Sequence, residues 1–143
     1  MAVKQISVFL ENKPGRLAIF TDVLKDNDIN LRALSIAEAS DFGIVRFIVN
    51  DVYNAATVLR DAGYIISVTD VLALEMPDKP GAMADLVRTL GDAGMNLEYL
   101  YAFTATKAGS AYMIIKVNDV KKASEILNKN GIRQVDQETL KDI

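Results

Sequence analysis

Hydrophobic positions in this chain follow two alternating rhythms. Ile6, Val8 and Leu10 alternate with Gln5, Ser7 and Phe9, the period of two expected of a strand. Pro14-Gly15 interrupts that rhythm, and Leu17, Phe20, Val23 and Leu24 then recur at the spacing of one helix face. A strand is expected from Leu31, a turn at Asp41-Phe42-Gly43, and a β-branched strand over Ile44–Val49. Asn50 or Asp51 then caps a second helix that presents Val52, Ala55, Ala56 and Leu59 and stops at Gly63. Tyr64–Val68 supplies a fourth strand.

The same succession then returns. Lys13-Pro14-Gly15 recurs as Lys79-Pro80-Gly81, an offset of 66 that also aligns Leu24 with Leu90, Asp26 with Asp92 and Asn30-Leu31 with Asn96-Leu97. Further on the offset becomes 68: Val49-Asn50-Asp51-Val52 matches Val117-Asn118-Asp119-Val120, and Gly63 matches Gly131. The second copy therefore carries two extra residues near Thr106–Gly109. Met83, Leu86, Val87 and Leu90 repeat the first helix, Asp119 through Gly131 the second, and Ile132–Val135 the last strand.

A βαββαβ order is the ferredoxin-like unit, so the expected class is α+β, with two four-stranded antiparallel sheets carrying helices on one face. The expected domains are 1–69 and 70–143. Between them, Ile65 to Leu74 contains no Gly, no Pro and no polar run. The last strand of one copy should run straight into the first strand of the next, holding the copies in fixed relation and packed together.

Composition narrows the function. Sixteen Lys and Arg are interspersed with 19 Asp and Glu for a net charge of −3, which leaves no basic stripe for nucleic acid and no polybasic patch for an anionic membrane. Cysteine and histidine are both absent, removing thiolate chemistry, cysteine–metal sites, the commonest general base and the commonest metal ligand. Lysine or carboxylate mechanisms remain open. No apolar run reaches the ~18 residues of a membrane span, and the charged opening MAVKQISVFLENKPG is not a signal peptide, so a cytoplasmic protein is expected.

The candidate chemistry sits where a strand passes through Asn12-Lys13-Pro14-Gly15 into a helix, and again through Asp78-Lys79-Pro80-Gly81. Unpaired amides and the macrodipole at a helix N-terminus favour an anion such as a carboxylate, and glycine has no Cβ to hold it away. The competing reading is that Pro-Gly simply makes the turn.

The pattern of strand, [Asn/Asp]-Lys-Pro-Gly-x-[Leu/Met], helix, Asn-Leu and β-branched strand resembles the ACT domain, twice over and across essentially the whole chain. ACT domains sense amino acids and other small metabolites and regulate biosynthetic enzymes, fused to them or as separate chains. In amino-acid-binding members the ligand usually sits between two paired domains, touching the loop after the first strand and the residues leading into the second. By position the resemblance implies Asn12, Lys13, Pro14, Gly15, Asn30 and Leu31, with Asp78, Lys79, Pro80, Gly81, Asn96 and Leu97 in the second copy. Two departures matter. Serine-binding members often carry a histidine late in the first strand, where this chain has Leu10 and Met76, and Asn12 faces its counterpart Asp78 with a different charge, so the two sites are not equivalent.

Other residues read as structural. Arg16 and Arg32 are expected on the solvated surface, Tyr99, Tyr101 and Phe103 in packing, and the pairs Asp26/Asp28 and Asp136/Glu138 at element ends. The expected function is a tandem ACT protein of the free-standing regulatory type: a homodimer, without enzymatic activity, cofactor or metal, that binds an amino acid and acts in trans on an enzyme or regulator. The alternatives are a ligand-free assembly module and, further off, a small enzyme on a ferredoxin-like fold.

Overall fold

The computed structural model describes residues 2–105 and 107–143. Its contacts divide the chain into two units, Lys4–Thr69 and Asp70–Ile143, the residues before Lys4 grouping with the latter.

The first unit runs β1 (Val3–Glu11), α1 (Arg16–Asp26), β2 (Ala33–Ala39), β3 (Phe42–Ile48) and α2 (Val52–Asp61), and closes with the start of β4 (Ile66–Pro77). Its strands lie in the order β2-β3-β1-β4. Ile6 stands opposite Phe47 and Val8 opposite Val45, and residues paired across an antiparallel ladder share a face. Those four side chains form an apolar face on which Phe20 and Leu24 of α1 and Ala55, Ala56 and Leu59 of α2 are buried. Phe20 meets the rings of Phe47 and Tyr64 edge-on at 5.5 and 5.7 Å.

The second unit takes the remainder of β4, then α3 (Ala82–Asp92), β5 (Leu97–Ala102), β6 (Ser110–Val117), α4 (Val120–Lys129), β7 (Arg133–Val135) and α5 (Gln137–Leu140). β6 pairs antiparallel with both β4 and β5, and β7 pairs with β4 on its other side. Leu72 faces Ile115 and Leu74 faces Met113, and this face takes Leu86 and Leu90 of α3 and Ala123 and Leu127 of α4. Both units are therefore antiparallel sheets with two helices packed on one face, the ferredoxin-like class.

Several details differ from the sequence pattern. The turn expected at Asp41-Phe42-Gly43 shrinks to Ser40-Asp41, because Phe42 and Gly43 pair with Ala39 and Glu38 on one side and with Glu11 and Leu10 on the other. A ladder on both flanks outweighs the local turn preference of Gly43. β2 begins at Ala33, not Leu31, whose side chain turns in against the first core. Asp51, not Asn50, caps α2, accepting the Asn54 N–H at 3.0 Å, and Asp119 does the same for α4 with Lys122. α5 has no counterpart in the expected pattern; Asp136 caps it by accepting the Thr139 N–H at 2.7 Å, and Leu140 is fully buried. The extra residues expected near Thr106–Gly109 fall just before β6, and Thr106 itself lies outside the described residues.

Candidate functional site

Each strand-to-helix turn is built the same way. Lys13 and Lys79 donate backbone N–H bonds to Glu11 and Pro77 at 3.0 Å, and Arg16 and Ala82 return to the Lys13 and Lys79 carbonyls at 3.3 Å. The loop closes through Gly15 at φ +83° and Gly81 at φ +92°, left-handed values that glycine adopts without strain. A Cβ on either glycine would meet nothing within 4 Å, so glycine is required here by backbone conformation and not by crowding. Neither helix has a side-chain cap, so beyond the Arg16 and Ala82 amides already bonded within the turn its first N–H groups gain no side-chain acceptor.

The other half of the expected site lies elsewhere in each unit. Glu11 and Pro77 pair with the starts of β3 and β6 at Phe42 and Ser110, whereas Ala33 and Leu97 pair with the ends of those strands at Ile48 and Val117. Asn30-Leu31 and Asn96-Leu97 are thus at the opposite end of their own sheet from Gly15 and Gly81, roughly 20 Å away at ~3.3 Å per residue. There Asn96 donates its N–H to Asn118 Oδ1 at 3.0 Å and accepts the Asn118 N–H at 3.2 Å. Arg32, expected on the surface, is buried and donates to Asn50 Oδ1 at 3.3 Å. A ligand held at one unit's turn does not reach that unit's own asparagine.

Beside the Asp78–Gly81 turn the second unit opens a cleft of about 580 Å³. Met76, Ala82, Leu86 and Ile132 supply apolar wall. Its charged lining is Glu75, Lys79, Asp85 and Arg133. The Glu75 side chain is only 10% exposed; its Oε1 accepts from Lys107 Nζ at 2.5 Å and from Ser110 Oγ at 2.9 Å, and its Oε2 from Arg133 Nη1 at 2.5 Å. The Lys107 hydrogen bond is the main reason the Glu75 carboxyl is held below its usual range, helped by Ser110 and Arg133 against a partial desolvation that acts the other way. By contrast, the Lys79 ammonium and the Asp85 carboxylate have no side-chain partner among the described residues. Glu75, Asp85 and Arg133 were missed in the sequence because their importance lies in difference: their counterparts in the first copy are Phe9, Ile19 and Ile65.

The first unit has a hollow of about 220 Å³ at the corresponding place, bounded by Phe9, Glu11, Arg16 and Ile19. Glu11 pairs with both neighbouring cations, Lys13 at 3.0 Å and Arg16 at 3.7 Å, and its carboxyl is lowered chiefly by the Lys13 hydrogen bond. In the second unit Tyr101 and Phe103 are buried, Phe103 against Tyr112 with ring centroids 5.2 Å apart, and Tyr99 stacks on Tyr101 at 6.5 Å. Among the described residues no three acidic side chains gather as metal ligands would, and no helix is long and apolar enough to cross a membrane.

A family model described as an ACT domain pair matches residues 1–143. A crystal structure of a protein from Bacteroides thetaiotaomicron matches at 37% identity with a TM-score of 0.92, covering 100% of this chain and 98% of that one. The regulatory subunit of aspartate kinase from Thermus thermophilus, in its ligand-free form, matches with a TM-score of 0.66 at 16% identity over 88% of this chain and 91% of that one. The corresponding subunit from Thermus flavus gives 0.61, also at 16% identity, over 88% and 90%. At that identity the two subunits are alike in fold alone. No curated protein sequence matches the chain.

Proposed function

The chain belongs to the ACT domain pair family, and from that premise we propose that it is a regulatory protein that binds a small amino acid and acts in trans on a metabolic enzyme or regulator. ACT domains are regulatory modules, and two fold neighbours are regulatory subunits of aspartate kinase. The chain's own residues support binding over chemistry, since histidine and cysteine are absent and its most strongly engaged carboxylate, Glu75, is consumed in ion pairs. The protein works as a homodimer, a reading supported by the apolar side chains left exposed on the first unit.

The observation that carries this reading is the cleft beside Asp78-Lys79-Pro80-Gly81. It combines a helix start without a side-chain cap with an apolar wall and with a cation and a carboxylate that have no side-chain partner among the described residues, the mixture a small zwitterion needs. The corresponding turn Asn12-Lys13-Pro14-Gly15 offers the helix start but less space. Asn30, Leu31, Asn96 and Leu97 lie too far from their own unit's turn to serve the same ligand there. A thermal-shift screen of the full chain against the twenty amino acids tests the proposal. A true ligand at a hundredfold excess over its Kd stabilises the folded state by about 2.7 kcal/mol, a rise in Tm of several degrees. If all twenty leave the Tm unmoved, the amino-acid reading falls and a ligand-free assembly role takes its place.

A further inference from the structure

We propose that amino-acid binding is confined to the second unit, and that its cleft takes one neutral amino acid with an aliphatic side chain per chain. This rests on the amino-acid reading above and goes beyond it by saying which copy works and what it selects.

The two copies differ at the positions that line the turn. Lys79 at the second turn has no side-chain partner among the described residues, and the residue two places before it is Pro77. The equivalent Lys13 is neutralised by Glu11, which stands where Pro77 does. A ligand carboxylate approaching Lys13 has to displace Glu11, whereas Lys79 is available as it stands. The second difference is one helical turn further on. Asp85 faces the cleft as an unpaired carboxylate, and its equivalent in the first unit is Ile19. Among the described residues only the second turn therefore offers a cation and an anion that are not already paired with another side chain, with the cation next to the positive end of α3 and the anion one turn into the helix. That order orients an α-carboxylate towards Lys79 and an α-ammonium towards Asp85.

What remains of the cleft selects the side chain. Its other charged lining, Glu75 and Arg133, is joined in one cluster with Lys107 and Ser110, so a third ionised group on the ligand would have to compete with a bond already made. Met76, Leu86 and Ile132 offer apolar contact instead. A Lys or Glu side chain there would lose hydration for partners that are already engaged, whereas an aliphatic one gives up no hydration shell of a charge. In the first unit Phe9 stands in place of Glu75, and the hollow there is about 220 Å³ against about 580 Å³.

Isothermal titration calorimetry on the full chain decides it, with L-valine, L-leucine, L-isoleucine and L-methionine as probes and L-lysine and L-glutamate as charged controls. The expected result is binding of at least one aliphatic probe at one per chain, more tightly than either control. Lys79→Gln and Asp85→Asn should each weaken it roughly ten- to hundredfold. Both side chains are on the surface, so circular dichroism should show an unchanged fold. Arg16→Gln, in the first unit's hollow, should leave the affinity within about twofold. Binding at two per chain, tighter binding of a charged control, loss of affinity in Arg16→Gln, or unchanged affinity in both Lys79→Gln and Asp85→Asn overturns the confinement while leaving an amino-acid sensor standing. Failure of these probes together with the other amino acids overturns both.

Discussion

At Gly15 and Gly81 the backbone sits in the left-handed region, and an added Cβ would meet nothing. The consequence of a side chain there is conformational. Gly81→Ala should destabilise the protein by about 1–2 kcal/mol, read from urea midpoints. Gly91 gives the contrast: it lies inside α3, takes an ordinary helical conformation and also has open space where a Cβ would go. Gly91→Ala should stabilise by about 0.5–1 kcal/mol. If the two substitutions have the same sign, the left-handed turn is not what Gly81 provides. Glu75 makes a second prediction at this scale. Its folded carboxyl is held below the ordinary glutamate range, so the stability its ion pairs contribute is present above that range and lost as pH falls through it. Glu75→Gln should therefore be less stable than the wild type near neutral pH, with the gap closing as the medium is acidified below the ordinary glutamate range. A gap that stays constant with pH would mean the ion pairs contribute nothing to folding.

At the scale of elements, the short strand β7 is held by more than its three ladder residues. Gln134 is buried; its Nε2 donates to the Ser124 carbonyl at 2.9 Å and to Asn128 Oδ1 at 2.8 Å, and its Oε1 accepts from Ser124 Oγ at 2.7 Å. One amide thus joins β7 to α4, whose apolar face is buried through Ala123 and Leu127. Ser124→Ala removes a donor and leaves Gln134 Oε1 buried without it. The expected loss is about 1–3 kcal/mol, with amide exchange in β7 accelerating more than in β6. Equal acceleration across the whole unit would show that β7 does not open separately. This stitch also matters to the cleft, because Ile132 and Arg133 enter its lining from the same short segment.

Over the whole chain the two copies have diverged in what they expose. Nine of the eleven large hydrophobic side chains left exposed among the described residues lie in the first unit, against Val87 and Leu100 in the second. Phe9 pairs with Ile44 and Phe42 with Glu11, which sets them on the sheet face away from the helices, and the Phe9 and Phe42 rings stand 6.1 Å apart. Exposed apolar surface concentrated in this way marks an interaction site. The proposed homodimer should therefore sediment as a dimer at micromolar concentration, and Phe42→Lys should shift it towards monomer without changing its circular dichroism. A wild-type monomer at those concentrations would reject the homodimer.

Much of this protein is decided locally and was legible in the residue pattern. The strand and helix rhythms, the duplication, the capping roles of Asp51 and Asp119 and the Pro-Gly turns all follow from neighbours a few positions apart. Even the failure of Asn30 to join Gly15 has a local cause. The intervening helix of 11 residues carries the chain back by about 16 Å, returning it to the end of the sheet where β1 began. Tertiary structure alone decided the rest. Glu75 meets Lys107 32 residues away and Arg133 58 residues away, and no spacing in the sequence encodes that meeting. The same holds for Phe42, drawn from a turn into a strand by pairing on both flanks, and for Arg32, drawn from the surface into the interior. Local preferences are worth tenths of a kcal/mol per residue, whereas a ladder position, a buried charge or a filled core position is worth one or more. Where the two compete, the long-range partner wins, and those partners are known only once the chain has folded.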